Sequence, residues 1–486
     1  MRFIIKQIKH KFYSMNIDEF KNQGHKIVDW MYNYLNEIEK YPIKPNIKPG
    51  EIYKSLPDSP PINGENFDDI FKDFEKNIMP GMTHWQNPNF HAFFPSNNSY
   101  PSILAEMLIS TIGAQCMMWD TSPAATELEE KVTDWIKDAI GIPTSWKGVI
   151  NDTASIGSIC SLLTAREHKT DYLTNADGLK DNKFRVYCSK EAHSSIEKAV
   201  KTIGIGSKNL KKISTNSDLS MNYNALEIEI KRDIKNNNIP LAIVTTFGTT
   251  GTVAFDSINE IAKIAKKYKI WHHIDAAYAG SVLLLDEYKG YIENLKFADS
   301  FVFNPHKWML TNFDCSLYYV KDKEKLIKTL EIHPEYLRST KEKINNYKDW
   351  SLQLGRRFRA LKLWFVIRSY GINGIKKYLK KHIKLAKELN FKIITNKDFE
   401  ITSNQNINMI NFRYNPKSSN YSDKDLNHIN KKLVKKLNRT GKIYISHTVI
   451  NGVYSIRMPI ASTTIERKNL DKSWELIQKT SKNIIK

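Results

Sequence analysis

Short β-branched runs alternate with stretches of helical spacing through the middle of this chain. Leu241 to Phe247 is a continuous apolar run of strand length. Ser257 and Glu260 follow in the S-x-x-E order of a capping box, and Ile258, Ile261, Ala262, Ala265 and Tyr268 then recur at helical spacing. The chain returns to a second strand, Ile270 to Ile274, and after another connection to a third, Ser300 to Phe303. Such alternation is the pattern of crossover units feeding a largely parallel sheet, so the expected class is α/β. Ligands of open α/β sheets collect outside the carboxyl ends of the strands. Thr249-Thr250, Asp275 and Lys307 stand just past the three ends and are expected to face one crevice.

The flanks read differently. Pro42, Pro45, Pro49, Pro57, Pro60 and Pro61 mark an extended connector between two helical stretches, which sets off an N-terminal segment of residues 1–95. A large α/β domain over 96–370 follows. From about Gly371 the pattern changes to long basic helices and an alternating run, Lys442 to Met458, expected to form a small α+β domain over 371–486. The richest apolar stretch, Leu361 to Ile367, is broken by Lys362 and falls short of the roughly 18 to 20 residues that span a bilayer, so a soluble protein without a membrane partner is expected.

The 486 residues carry a formal charge of +21, which raises the possibility of nucleic-acid binding. The lysines, however, are spread through nearly every segment together with Asn and Ile, as in a chain-wide compositional bias, and no nucleic-acid partner is expected. Cys116, Cys160, Cys188 and Cys315 lack CxxC spacing, so neither a zinc site nor a disulfide framework is indicated and a reducing cytoplasm fits. Met1 to Tyr13 is basic with an apolar Phe3-Ile4-Ile5 cluster but lacks the long apolar core of a signal peptide. Met15 opens a more ordinary helix start.

Lys307 follows an apolar strand and the turn pair Asn304-Pro305, between His306 and Trp308. A lysine so placed is partly buried, and desolvation makes its amine a nucleophile toward an aldehyde. Asp275 stands at a strand end before two alanines, where a flat ring can approach the backbone and a pyridinium nitrogen can find a carboxylate; a turn or capping role is the alternative. Thr153-Ala154-Ser155 precedes the helical pattern of Ile159, Leu162 and Leu163, with Gly157 allowing close approach, and can cradle a phosphate or simply cap a helix. His193 can stack on a ring or be a satisfied core histidine. His273 and Asp275 share one face of a strand while His272 points away, too few ligands for a metal, and none is expected.

These residues resemble the group II pyridoxal-phosphate decarboxylases, and within them the aromatic-L-amino-acid decarboxylases. The resemblance runs from about Met15 to near the C-terminus. It includes Pro80-Gly81-Met82-Thr83-His84-Trp85, His91-Ala92-Phe93-Phe94-Pro95, Ser122-Pro123-Ala124, Ala192-His193-Ser194-Ser195, His273-Ile274-Asp275-Ala276-Ala277-Tyr278, Asn304-Pro305-His306-Lys307-Trp308 and Gly355-Arg356-Arg357-Phe358. It implies an aspartate-aminotransferase-like, fold-type I homodimer with active sites at the subunit interface. By position, Lys307 is the Schiff-base lysine, Asp275 the pyridinium partner and His193 the ring-stacking residue. Thr153, Ala154, Ser155, Asn304 and His306 hold the phosphate end, and Thr250 and Ala277 contact the ring. The chain departs from the family in having Thr153 where Ser is usual and Ile156 where an acidic residue often stands.

Tyr336, in His333-Pro334-Glu335-Tyr336-Leu337, matches the tyrosine of the family's mobile catalytic loop and is the expected proton donor, with the polar run Arg338 to Lys348 beside it. Relatives with phenylalanine there, or asparagine at the position of His193, tend to make aldehydes by oxidative deamination. This chain keeps Tyr336 and His193, so decarboxylation to an amine is expected. Trp85, Phe93 and Phe94, with Ser96 beside them, supply walls for a flat side chain, and Gly355 adds room where some plant relatives specific for phenolic substrates have serine. Tryptophan, tyrosine, DOPA or phenylalanine should therefore fit. A histidine or glutamate substrate needs a polar side-chain site, for which the Arg356-Arg357 pair is the available candidate.

Overall fold

The computed structural model describes residues 15–180, 183–332, 344–417 and 420–484. Its strands are numbered in chain order from the two-residue β1 (Phe90–His91). The larger sheet contains β2 (Lys147–Asn151), β3 (Phe184–Ser189), β4 (Leu210–Ile213), β5 (Ile239–Thr246), β6 (Trp271–Asp275), β7 (Ser300–Phe303) and β8 (Ser316–Val320), in the order β2-β8-β7-β6-β5-β3-β4. Only β8 runs against the others. The three expected strands are thus the parallel neighbours β5, β6 and β7. Their continuous apolar character follows from helices on both faces of the sheet. Val186 and Val244 pack with Leu162, Ile196 and Val200 on one side, while Tyr187 and Ile243 pack with Leu226, Ile230 and Ile261 on the other.

The helix Ala154–Lys169 lies close on this sheet. A Cβ at Gly157 would stand 2.8 Å from Val302 Cγ2, so this glycine serves the contact between helix and strand. The expected capping box does not form. Ser257 is the N-cap of the helix Ile258–Tyr268, but its side chain makes no capping hydrogen bond, and Glu260 instead pairs with Lys263 at 2.7 Å.

The second sheet has the order β1-β11-β12-β10-β9, with β9 (Phe399–Ile401), β10 (Met409–Tyr414), β11 (Tyr444–Ile450) and β12 (Val453–Pro459). The alternating run near the C-terminus is the β11-β12 hairpin, turned by Asn451 and Gly452 at φ 48° and 86°, as a two-residue turn matching the strand twist requires. The N-terminal segment is not separate from this sheet, because β1 pairs in parallel with β11. Gly371, at φ 62° and ψ 166°, breaks the long helical stretch Arg359–Ile394. Among the described residues no helix is long and apolar enough to cross a membrane.

Candidate active site

Register brings the strand ends together. Thr246 of β5 pairs with Asp275 of β6, and Asp275 with Val302 of β7. Asp275 is buried, and its Oδ1 accepts the Ala277 N–H at 3.0 Å, which fixes the carboxylate at the strand tip. Asn304 N–H donates to the Ala277 carbonyl at 3.1 Å and so ties the turn after β7 to the turn after β6. Lys307 sits in the short helix Pro305–Trp308 that follows. Burial lowers its ammonium from 10.5 to about 8; Asp275 opposes that change and the Arg457 cation adds to it.

An aromatic stack holds this lysine from below. Phe94 lies 3.7 Å from Tyr278 and Tyr278 5.3 Å from Trp308, ring centroid to centroid. Trp308 Nε1 donates to His382 Nδ1 at 2.9 Å and the Tyr278 hydroxyl to Asn408 Oδ1 at 3.0 Å, so elements of the second half of the chain anchor the residues beside Asp275 and Lys307. Lys307 Nζ stands 5.3 Å from the Phe94 ring centroid.

His193 is the N-cap of the helix Ser194–Thr202, and its Nδ1 accepts the Ser195 N–H at 3.2 Å. A backbone N–H can only donate, so the neutral ring carries its proton on Nε2. Burial and the Lys307 cation lower the His193 pKa, against a raising effect of Asp275. The ring is therefore mostly neutral near pH 7 and shares the electrostatic environment of both groups.

At the start of the helix Ala154–Lys169, Asp152 Oδ1 accepts the Thr153 N–H at 2.6 Å and the Thr153 hydroxyl at 3.3 Å. The Ile156 and Gly157 N–H groups donate to the Thr153 carbonyl. The Ala154 and Ser155 N–H groups have no acceptor among the described residues, which is the donor pair an anion takes at a helix N-terminus. Asn304 Oδ1 is buried and without a hydrogen-bond partner. His306 Nδ1 accepts the Cys315 N–H at 2.9 Å, and burial lowers its pKa to about 3, leaving a neutral ring with an Nε2–H donor. Thr250 and Ala277 stand just past the ends of β5 and β6. The free cradle donors and the buried amine beside a carboxylate fit a phosphorylated pyridine aldehyde.

The substrate candidates divide. Trp85 stacks on Phe93 at 5.9 Å and lies 4.4 Å from Phe90, forming an apolar surface next to Phe94, and the Ser96 carbonyl accepts the Gln86 amide at 2.7 Å. Gly355 lies elsewhere, in a cavity of about 390 Å³ with Gln115 and Arg357. Arg356 binds Glu129 Oε1 at 2.7 Å, while Arg357 pairs with Glu106 and Asp314. The arginine pair is thus engaged within the fold. His272 Nε2 bonds to the Thr245 hydroxyl and His273 to Ser158 and Ser300, so neither faces the cleft as a ligand. Tyr336 lies outside the described residues, as does the run 338–343.

Sequence reasoning missed Arg457. It is buried in β12, and its Nε donates to the Thr250 carbonyl at 2.8 Å and its Nη1 to the Phe93 carbonyl. Every residue from Tyr454 to Pro459 is buried, a context that the alternating pattern of the sequence does not reveal.

This α/β scaffold, with a lysine of lowered pKa and a carboxylate at neighbouring strand ends and a helix N-terminus with two free N–H groups on the same sheet, fits an enzyme built around a carbonyl cofactor. The chain belongs to the pyridoxal-dependent decarboxylase family, whose conserved domain matches residues 49–415, and it has the family's aminotransferase-like, fold-type I architecture. It is 38% identical to tyrosine decarboxylase 3 of Petroselinum crispum over 474 residues, covering 95% of this chain and 91% of that protein. It is 37% identical to phenylacetaldehyde synthase of Petunia hybrida, covering 95% and 94%. Among solved structures it superposes on the Oryza sativa TDC with PLP and tryptamine at a TM-score of 0.95 and 32% identity, over 98% of this chain and all of that one.

Proposed function

We propose that this chain decarboxylates aromatic L-amino acids, among tryptophan, tyrosine, DOPA and phenylalanine, to the corresponding arylalkylamines. The observation that carries the reading is the Phe94 ring 5.3 Å from Lys307 Nζ, with Trp85 and Phe93 stacked in the adjoining segment, combined with the engagement of Arg356 and Arg357 by Glu129, Glu106 and Asp314. Pyridoxal phosphate, when bound, supplies the electron sink that accepts the pair released as carbon dioxide leaves. Asp275 is placed to hold a proton on a pyridine nitrogen, through the carboxylate oxygen that Ala277 leaves free. Lys307 offers an amine with an appreciable unprotonated fraction near neutral pH. His193, whose charged neighbours are Lys307 and Asp275, offers an Nε2–H donor. Thr153, Ala154, Ser155, Asn304 and His306 would hold the phosphate, and Thr250 and Ala277 would border the ring. Tyr336 is assigned the return of a proton to Cα.

A panel of tryptophan, 5-hydroxytryptophan, tyrosine, DOPA, phenylalanine, histidine and glutamate tests the substrate class, and dominant activity on glutamate or histidine would overturn it. The second reading, aldehyde formation, is favoured by the likeness to phenylacetaldehyde synthase. Product analysis separates the two: stoichiometric amine supports decarboxylation, whereas arylacetaldehyde with ammonia and peroxide supports the alternative.

The proposal includes a homodimer with active sites at the interface. The helix Tyr100–Ile112 exposes Tyr100, Leu104, Met107, Leu108 and Ile112, a large apolar face for a single chain. Gly355, in its separate cavity, would line a substrate site only if contributed to a second copy. Sedimentation of the purified chain as a monomer at micromolar concentration would refute the dimer. Four buried, unpaired cysteines support a cytoplasmic setting.

A further inference from the structure

Trp271, His273 and Asp275 alternate onto one face of β6. The helix Ala154–Lys169 is tied to that face at two points: Trp271 Nε1 donates to the Ser161 hydroxyl at 2.9 Å, and His273 Nε2 stands 3.1 Å from the Ser158 hydroxyl. Moving up β6 toward Asp275 thus moves back along the helix toward its first turn. The other ring nitrogen of His273, Nδ1, stands 2.9 Å from the Ser300 hydroxyl of β7, which in turn lies 2.7 Å from the Ser161 hydroxyl. All of these residues are buried. An indole N–H can only donate, so a directed chain satisfies the group: Trp271 to Ser161, Ser161 to Ser300, Ser300 to His273 Nδ1, and His273 Nε2–H to Ser158. Burial lowers the His273 pKa to about 3, which leaves the neutral ring, one donor and one acceptor, that such a chain needs. Apolar side chains would fill this layer without any polar group to satisfy. A fully satisfied polar group adds something else, a single allowed register.

We infer that His273 is a positioning residue for the cofactor: by holding Ser158 it fixes the helix against β6, and so fixes the phosphate cradle at the helix start relative to Asp275 at the strand tip. Ser300, on the far nitrogen, fixes the ring. The inference rests on the proposed phosphate role of Ala154 and Ser155. Pyridoxal phosphate is a flat ring with a short arm, so a helix that slid along β6 would release either the phosphate or the pyridine nitrogen. The close contact of Gly157 with Val302 sets the gap between the layers, but an apolar contact carries no direction to resist sliding. A hydrogen bond between His273, two residues before Asp275, and Ser158, four residues after Ala154, supplies that direction.

The test titrates the cofactor-free full chain with pyridoxal phosphate and with pyridoxal, which has the aldehyde and ring nitrogen but no phosphate, and reads binding by visible absorbance. His273→Asn keeps a polar group near Nδ1 for Ser300 and gives up Ser158; His273→Gln keeps one near Nε2 for Ser158 and gives up Ser300. His273→Asn should weaken pyridoxal phosphate by roughly tenfold and leave pyridoxal within about twofold, the scale of one lost hydrogen bond. His273→Gln should retain more of the pyridoxal phosphate affinity, although both variants lose one contact and should lower the urea midpoint alike. Ser158→Ala removes the same bond from the helix side with less disturbance and should reproduce the pattern of His273→Asn. Equal weakening of the two ligands would show a role in the fold as a whole and overturn the inference, as would equal loss in the Asn and Gln variants. Ala154→Pro is the control for the cradle. It removes one N–H at the first helical position, where proline is tolerated and the preceding Thr153 is already extended. If Ala154→Pro leaves both affinities unchanged, the phosphate is held elsewhere, and the cradle reading falls together with this inference. If Ala154→Pro weakens pyridoxal phosphate selectively while His273→Asn and Ser158→Ala do not, the inference alone falls.

Discussion

The amine of Lys307 should titrate near pH 8 rather than above 10. Burial lowers it from 10.5 to about 8, with Asp275 raising and Arg457 lowering the final value. At pH 7.5 about a quarter of the amine is then unprotonated, against about 0.1% for an unperturbed lysine, a gain of more than a hundredfold in reactive species. Competitive acetylation of the cofactor-free chain, followed by mass spectrometry of the Lys307 peptide across pH 6 to 11, reads this midpoint directly. Asp275→Asn should move it further down and Arg457→Met should move it up, because one removes an attractive charge and the other a repulsive one. The stability consequence has a definite sign. A lysine whose folded value lies below its unfolded one destabilises the fold while both states are protonated, here by about 3 kcal/mol below pH 8, and that burden fades between pH 8 and 10.5. Lys307→Met, which removes the ammonium and retains apolar bulk, should accordingly raise the urea midpoint of the cofactor-free chain at pH 6.5, and the gain should vanish by about pH 10.5. A Lys307 midpoint at or above 10, or one unmoved by both neighbouring substitutions, would refute the reasoning.

Further outcomes follow from other contacts. Arg356→Ala strips the partner from the buried Glu129, which also accepts the Ile150 N–H, and should destabilise the chain by roughly 3 to 5 kcal/mol by urea denaturation; a change under 1 kcal/mol would contradict the assignment. Gly280→Ala drives a methyl into Phe303, with Phe303 Cγ at 2.8 Å and Ala276 Cβ at 3.3 Å, and should lower stability by roughly 1 to 3 kcal/mol because both neighbours are fully buried. An unaltered melting temperature would show that the turn yields freely. His193→Asn keeps an acceptor for the Ser195 N–H, so the helix should remain capped and the melting temperature nearly unchanged, while chromatographic product analysis should shift from amine toward arylacetaldehyde. Unchanged product with a tenfold slower rate would confine His193 to ring stacking.

The fold was legible where local pattern and tertiary need coincide. β5, β6 and β7 are buried on both faces, so their apolar runs announce them, and the expected limits differ from the observed ones by at most two residues. The polar residues at their ends follow from the architecture. Side-chain hydrogen bonds were less legible: Ser257 stands at the predicted helix start, yet its side chain does not cap, and Glu260 pairs with Lys263 instead of reaching back to the N-cap. Nor could spacing reveal that β1, near the end of the N-terminal segment, crosses to pair with β11. Strand pairing over such a separation depends on the surface each partner presents after folding.

Arg457 shows what kind of site residue a sequence conceals. Lys307 and Asp275 stand beside turns and small residues, where short motifs bracket them, and each lies at the end of a strand whose period is readable. Arg457 lies within an alternating run that also contains Ser446 and His447, and by pattern it resembles a solvated cation on an edge. The difference emerges only when β12 is seated between β10 and β11 and its outer face is covered by the Phe93-Phe94 segment. A polar residue becomes informative once its surroundings are known to exclude water, since only then does an unpaired donor imply an absent partner. The arginine pair Arg356-Arg357 is the converse case. Adjacent in sequence and conspicuous there, both are paired with acids drawn from other elements, Arg356 with Glu129 and Arg357 with Glu106 and Asp314. Charge available to a substrate is therefore a property of tertiary pairing, and of these three arginines the one least visible in the sequence is the one that no carboxylate among the described residues pairs.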